Sequence, residues 1–305
     1  MKKEDSVPHK FKSLTEMHRL LGLPEPEHPL ISLVENKGND IDLRKFPASF
    51  SHDFYKISYK QNLSGRLKYG QGFYDFDDGG LLFKAPNQVS ANGENNNDHR
   101  GFTLLFHPDF LAGYPLAKKI RQYGFFSYSV NEALHLSEKE RRTIVSVFTN
   151  MQEELQARID DFSHDIVISH IETLLNYSNR FYRRQFITRK AVNSDLLHKL
   201  EEILEAYFND EKSLTQGIPT VQFLADNLSV SPGYLSDMLR SLTGQNAQQH
   251  IHSKLIEKAK EKISTTNLTI SEIAYQLGFE HLSSFTKLFK TKTNLSPVEY
   301  RQSFN

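Results

Sequence analysis

Roughly the last hundred residues carry one pattern twice, and this repetition constrains the fold more than any single motif. Leu224, Ala225, Leu228 and Val230 are matched at an offset of 49 by Ile273, Ala274, Leu277 and Phe279. Leu235, Met238, Leu239 and Thr243 are matched at an offset of 50 by Phe285, Leu288, Phe289 and Thr293. The copies differ by one inserted residue near the start of the second segment. Within each segment the apolar residues recur at helical spacing. Ala225 and Ala274 are small enough to let two helices cross closely. The corners LSV and LGF follow, and Gly278 suits the left-handed backbone that such corners need. The pattern predicts a helix-turn-helix, twice over.

Local signals agree with these boundaries. Thr269-Ile-Ser-Glu272 fits a capping box that opens the first helix of the second copy. Ser231-Pro232 places an N-cap before a proline at the first helical position of the first copy's second helix. Gly244 and Asn294 stand at equivalent ends, and both residue types accept the left-handed geometry of a helix stop. Helix-turn-helix units are therefore expected at about 220–243 and 269–293, with a spacer helix over 248–263. That spacer is roughly 24 Å long at 1.5 Å per residue. A rod of this length holds two helices about one DNA turn apart, roughly 34 Å along the duplex.

Ser271-Glu-Ile-Ala-Tyr-Gln-Leu-Gly-Phe279, Ser284-Phe285, Phe289-Lys290, Ser296-Pro297 and Tyr300-Arg301 together resemble the signature of the AraC/XylS family of bacterial transcription regulators. SPGYLSDMLRSLTGQ resembles that family's first recognition helix and its exit, and Lys254 to Ile263 resembles its linker helix. The likeness covers Leu196 to Tyr300. Asn294 stands where the family usually has Gly, and Lys254 where it usually has Arg. The resemblance implies two recognition helices per subunit, set in successive major-groove faces of promoter or operator DNA, and recruitment or obstruction of RNA polymerase. By position, the first recognition helix presents Ser231, Gly233, Tyr234, Ser236, Asp237 and Arg240. The second presents His281, Ser283, Ser284, Thr286, Lys287 and Lys290. Arg240, Lys287 and Lys290 lie one or two turns from the helix starts and suit phosphate contacts. Ser, Thr and His near each start suit base edges. Leu235, Met238, Leu239, Phe285, Leu288 and Phe289 are assigned to packing.

Charge gives a weaker signal. The whole chain balances 37 basic against 37 acidic residues. From Arg240 to the end there are nine Lys/Arg against five Asp/Glu, a difference of +4. A local excess of that sign can serve phosphates while the chain stays neutral. There are no cysteines, so disulfides and thiolate sites are excluded. That composition and an N-terminus without an apolar signal core fit the cytoplasm. No apolar run approaches the roughly 20 residues of a membrane-spanning helix.

The first part of the chain has a different texture. Residues 1–30 are polar and proline-punctuated and read as an N-terminal arm, with one short helix over Ser13–Leu21. FYKISYK, GRLKYG, GGLLFKAP and GFTLLFHP alternate apolar and polar residues between Gly, Asn and Asp turns, as strands of a β-meander do. Ala91–Asp98 reads as a loop. Ile144, Val147, Phe148, Met151, Leu155 and Ile159 make one helical stripe; Ile166, Val167, His170, Ile171, Leu174 and Leu175 make another. Residues 31–186 resemble the cupin-like sensor and dimerisation domain of family members, 187–195 read as a linker, and 196–305 as the AraC-type DNA-binding domain. The fold class is α+β multidomain: a cupin-like β-barrel with a helical hairpin, then an all-α tandem helix-turn-helix domain.

Such a barrel can hold a small-molecule effector. His52, His99 and His107 form no His-x-His pair with a following Glu, so no metal or other cofactor is expected. Phe54, Tyr55, Tyr59, Tyr69, Phe73, Tyr74 and Phe76 line a pocket or fill the barrel, and filling is the simpler role. The helices over Ser137–Tyr182 pack on the barrel or form a homodimer seam, and tandem DNA sites favour the dimer. The alternatives are a cupin-type enzyme with a fused helical domain and an effector-independent architectural DNA-binding protein. No catalytic constellation appears in residues 31–110.

Overall fold

The computed structural model describes residues 8–38, 47–61, 67–69, 72–74, 79–91, 100–157, 162–188 and 190–304. The chain divides into two compact units, Met1–Gln185 and Phe186–Asn305. Among the described residues, no helix is long and apolar enough to cross a membrane.

The first unit is built on an antiparallel sheet. β2 (Ile31–Asn36), β4 (Tyr55–Lys60), β7 (Gly80–Lys84), β9 (Gly101–Phe106) and β10 (Leu134–His135) pair in the order β10-β7-β4-β9-β2. Successive strand residues face opposite sides. Tyr55, Ile57 and Tyr59 share one face with Leu81, Phe83, Phe102, Leu104 and Phe106, and all eight are buried. Lys56, Ser58 and Lys60 take the other face. β1 (His9–Phe11), β3 (Ser49–His52) and β8 (Ser90–Ala91) form a second sheet, with β1 parallel to β3. β5 (Leu67–Tyr69) and β6 (Gly72–Tyr74) pair as a two-stranded ribbon. Among the described residues no pairing joins the edge strands β10 and β2, so a closed barrel is not seen.

Residues 8–30 are not a free arm. Phe11 of β1 and Leu14 and Met17 of α1 (Leu14–Leu21) pack with Phe54 and Leu105 in one apolar cluster. Ser13 caps α1, and Gly22 ends it at φ 70°. His18 ties α1 to the sheet: its Nδ1–H donates to Pro24 O (2.6 Å) and its Nε2 accepts from Ser32 Oγ (2.8 Å).

Two long helices, α3 (Glu138–Gln156) and α4 (Ser163–Thr188), cover the apolar side of the sheet. Phe148 of α3 stacks on Phe102 at 5.3 Å. Tyr182 of α4 stacks on Phe125 at 5.5 Å and lies beside Phe83 at 6.2 Å. Ile144, Val147, Phe148 and Met151 are buried, as are Val167, Ile171, Leu174 and Leu175. Both stripes are thus consumed inside one chain. Ile166 departs from its stripe and is exposed, while Ile168 takes a buried place. Ile159 lies outside the described residues, as do His99, Phe76 and most of the loop read at Ala91–Asp98. Phe54, Tyr55 and Tyr59 are buried filling; for Tyr69, Phe73 and Tyr74 only the backbone is described. A short helix, α2 (Leu116–Lys119), follows β9. A cleft of about 570 Å³ opens between the α1–β2 segment and the facing ends of α3 and α4.

The second unit is all helical. Residues 187–195, read as a linker, hold the end of α4 and the start of α5 (Lys190–Asn209). After α6 (Lys212–Gln216) come α7 (Val221–Leu228), α8 (Pro232–Thr243), α9 (Ala247–Thr265), α10 (Ile270–Gln276), α11 (Leu282–Thr293) and α12 (Pro297–Gln302). α9 is the spacer, 19 residues and roughly 28 Å long. Its buried residues Ala247, Ile251, Leu255, Ala259 and Ile263 fall four apart, one stripe through the middle of the unit.

Candidate nucleic-acid interface

Each half of the second unit turns a corner between two helices. In the first half Ser229 occupies the left-handed region at φ 57°, and in the second half Gly278 does so at φ 89°. These two positions correspond in the repeat but differ in tolerance. A Cβ at Gly278 would lie 2.5 Å from the carbonyl carbon of Gly217 and 2.8 Å from Ile218 N. Gly217 is itself left-handed, at φ 73°. Tyr207 OH donates to Gly217 O (3.0 Å) and Ser213 Oγ donates to Gln276 O (2.6 Å). The α10–α11 corner is thus seated on the turn after α6.

The exits of α8 and α11 share one geometry. Thr243 Oγ1 donates to Leu239 O (2.9 Å) and accepts from Gln245 N (3.2 Å). Thr293 Oγ1 donates to Phe289 O (2.8 Å) and accepts from Leu295 N (3.2 Å). Gly244 and Asn294 then take φ 77° and 62°. Capping boxes open the next helices, Asn246 with Gln249 for α9 and Ser296 with Glu299 for α12. The repeat therefore continues into α12, which completes the second half. The capping box Thr269–Glu272 opens α10. Bonds from the Thr269 backbone and hydroxyl hold the Glu272 carboxyl below the usual carboxylate range.

The entries of α8 and α11 differ. Ser231 caps α8 through its hydroxyl, accepting from Tyr234 N (3.2 Å), and is itself buried. His281 occupies the same place before α11 but makes no side-chain cap bond and is exposed. Of the residues expected on the outer face of α8, Gly233, Ser236, Asp237 and Arg240 reach solvent. Ser231 and Tyr234 do not. Tyr234 is 0% exposed, with its ring against Phe186 at 5.2 Å. It lies four residues before Met238, so it falls on the same helix stripe as the core. Arg240 pairs with Asp237 at 2.8 Å. On α11, Ser283, Ser284, Lys287 and Lys290 are exposed and Thr286 is half-buried. Phe285 and Phe289 point inward.

The basic excess resolves unevenly. Lys254 and Lys258 of α9 both bind Glu205 of α5, at 2.6 and 2.5 Å. Hydrogen bonds from these two ammonium groups hold the Glu205 carboxyl down at about 2. Lys262 bonds Gln276 at 2.9 Å, and Lys260 lies over the Tyr300 ring at 5.8 Å. Lys287, Lys290 and Lys292 remain exposed on α11. Lys292 was legible as charge alone, and the family likeness passes over it.

Residues 224–303 match the family described as "Helix-turn-helix domain". The chain is 27% identical over 136 residues to an uncharacterized HTH-type transcriptional regulator of Staphylococcus aureus (strain MSSA476), covering 45% of this chain and 17% of that one. It is 27% identical over 146 residues to the uncharacterized HTH-type transcriptional regulator YfiF of Bacillus subtilis (strain 168), covering 48% and 43%. It thus spans less than half the length of these relatives. Among solved structures, the C-terminal domain of the two-component response regulator yesN from Fusobacterium nucleatum is 34% identical, covering 33% of this chain and 96% of that one, with a TM-score of 0.29. A probable AraC family transcriptional regulator from Rhodopseudomonas palustris is 18% identical, covering 36% and 98%, with a TM-score of 0.31. Because the doubled helix pair, its matching exits and the matched segment fall on the same residues, the second unit carries a helix-turn-helix domain of the AraC type.

Proposed function

We propose that the chain is a transcriptional regulator, not an enzyme, that reads promoter or operator DNA through α8 and α11. The observation that carries this reading is the outer face of α11. His281, Ser283 and Ser284 at its start are exposed, His281 makes no side-chain cap bond, and Lys287 and Lys290 follow on solvent. Short polar groups at a helix start suit base edges, and cations a turn or two later suit phosphates. α8 contributes Gly233, Ser236, Asp237 and Arg240. Arg240 reaches a phosphate once it exchanges Asp237 for it.

The same reading gives the first unit the role of a cupin-like sensor for a small-molecule effector, and the chain a cytoplasmic place. The antiparallel sheet supports the sensor role by its two unlike faces. RNA polymerase is the partner on the promoter. A homodimer suits tandem DNA sites. Its seam would use residues of the first unit that its own core leaves out, such as Phe162 and Ile166, which are exposed.

Binding to fragments of the genome that carries this gene tests the reading. Sequence-selective gel shifts at moderate salt support it. Changing His281, Ser284 and Lys287 together to Ala should weaken specific binding at least tenfold with no change in melting temperature, since each base contact is worth about 1–3 kcal/mol. An undiminished affinity removes the site assignment. Sedimentation at tens of micromolar, with and without DNA, tests the dimer, and a strict monomer in both rejects it.

A further inference from the structure

The five-stranded sheet has one face that α3 and α4 leave free and that α1 meets only around Leu105. In the strand register Lys56 stands directly opposite Lys84 on one side and Leu105 on the other. Ser58 stands between Leu82 and Thr103, and Lys60 between Gly80 and Gly101. On β2, Asn36 joins the same face through Gly101. The Ser58 and Thr103 hydroxyls are 3.4 Å apart. A polar face is ordinary when water covers it. Here Ser58, Asn36 and Leu105 are buried, while Lys56, Lys60, Lys84 and Thr103 are half-buried, so this face is only partly open to water.

Lys56 and Lys84 face each other on neighbouring strands, an arrangement of like charges that destabilises a sheet. Among the described residues no carboxylate is among the groups that shift either ammonium. Burial, then Lys84 and Lys60, hold Lys56 down at about 8. Burial, then Lys60, lower Lys84, whose Nζ donates to the neutral Ser90 Oγ at 2.5 Å. Asp53 is taken by Lys10 at 2.8 Å.

A second observation points to the same place. His52 is 1% exposed. Its Nδ1–H donates to Phe54 O at 2.9 Å, while its buried Nε2 has no partner. Burial, then the Lys56 charge, push it down to about 4, and Lys84 adds to the effect. Its ring therefore lies within the field of both lysines. An unsatisfied buried ring nitrogen beside two uncompensated ammonium groups is costly unless something supplies the missing contacts.

We infer that this sheet face binds a small organic polyanion, a carboxylate or a phosphate ester, with Lys56 and Lys84 as its cations, Ser58 and Thr103 as hydroxyl donors and His52 closing the far side. The 570 Å³ cleft is no rival for such a ligand, because Glu25, Glu27, Glu35 and Glu154 line it. The inference builds on the effector half of the proposed function only. Its test reads binding without DNA, so its failure leaves the DNA reading standing.

The test uses the full chain, with citrate and glucose 6-phosphate as probes and glucose as the uncharged control, at ionic strength fixed with chloride. The expected result is a rise in melting temperature with at least one anion and none with glucose, on the order of 5 °C at a hundredfold excess over Kd. Lys56→Met and Lys84→Met should each raise the Kd about tenfold or more, the scale of one lost charge-assisted hydrogen bond. Lys287→Ala, on the other unit, should leave it unchanged. Without ligand, Lys56→Met should melt no lower than the parent, because it removes a repelling charge. The inference is overturned if neither anion acts beyond glucose, if the effect survives both Met variants, or if it disappears with Lys287→Ala.

Discussion

Gly278 and Tyr234 show how one repeat acquires unequal positions. Gly278→Ala must place a methyl group against the Gly217 backbone at a left-handed φ. It should cost about 3 kcal/mol, read as a lower urea midpoint, since strain and overlap with rigid backbone add. Ser229→Ala, the same change in the other corner, should stay within about 0.5 kcal/mol. Tyr234→Ala should cost about 3–5 kcal/mol, as large aromatic truncations in cores do. Ser284→Ala, its counterpart in the second copy, should leave stability unchanged and weaken DNA binding. The left-handed need at Gly278 was legible in the sequence. The reason no side chain fits there was not, because Gly217 lies some sixty residues away and only folding brings the two together. Position alone puts Tyr234 on the outer face, whereas the structure buries it. Its burial depends on Phe186, which the repeat does not contain.

At the level of elements, caps and stops were the most legible features. Thr269–Glu272, Ser231-Pro232, Gly244 and Asn294 each act where local chemistry places them. Long-range pairing was not legible. Glu205 joins α5 to α9 through Lys254 and Lys258, and nothing in the spacing of these residues announces it. Its folded carboxyl is held at about 2, below the value of about 4.5 in an unfolded chain. The stabilisation is therefore complete above about pH 4.5 and is lost as pH falls toward 2. Glu205 is substantially exposed, so solvent screening limits the effect to about 1 kcal/mol. Glu205→Gln should lower the denaturation midpoint of the parent at pH 7 and leave it almost unchanged near pH 2. On α11, a Lys287→Ala, Lys290→Ala double variant should reduce the slope of log affinity against log salt by about 1.8, two phosphate contacts' worth. Fluorescence anisotropy across a salt series reads that slope.

Across the whole molecule, overall neutrality is a poor guide to local charge. Among the described residues cations gather on α11, where they meet water, on α9, where Glu205 takes two of them, and on one sheet face, where they meet each other. The last gathering was hidden in FYKISYK, whose alternation separates an apolar set from Lys56, Ser58 and Lys60. Which face would be covered depends on pairing with β7 and β9, and single-strand alternation does not reveal it. The stripes of α3 and α4 were legible as apolar but not as to what they cover. A fragment starting at Phe186 should keep its helicity and its DNA affinity to within a few-fold, since the core of that unit, Phe186 against Tyr234 included, is internal to it; circular dichroism and anisotropy test this. The doubled helix pair also bears on modularity. A chimera carrying the second copy in both places would put serine where Tyr234 meets Phe186 and leave a cavity behind it. The reverse chimera would set a bulky phenol on the surface of the second half. Two halves of common pattern are no longer interchangeable parts, and recombination between them should be a dead end.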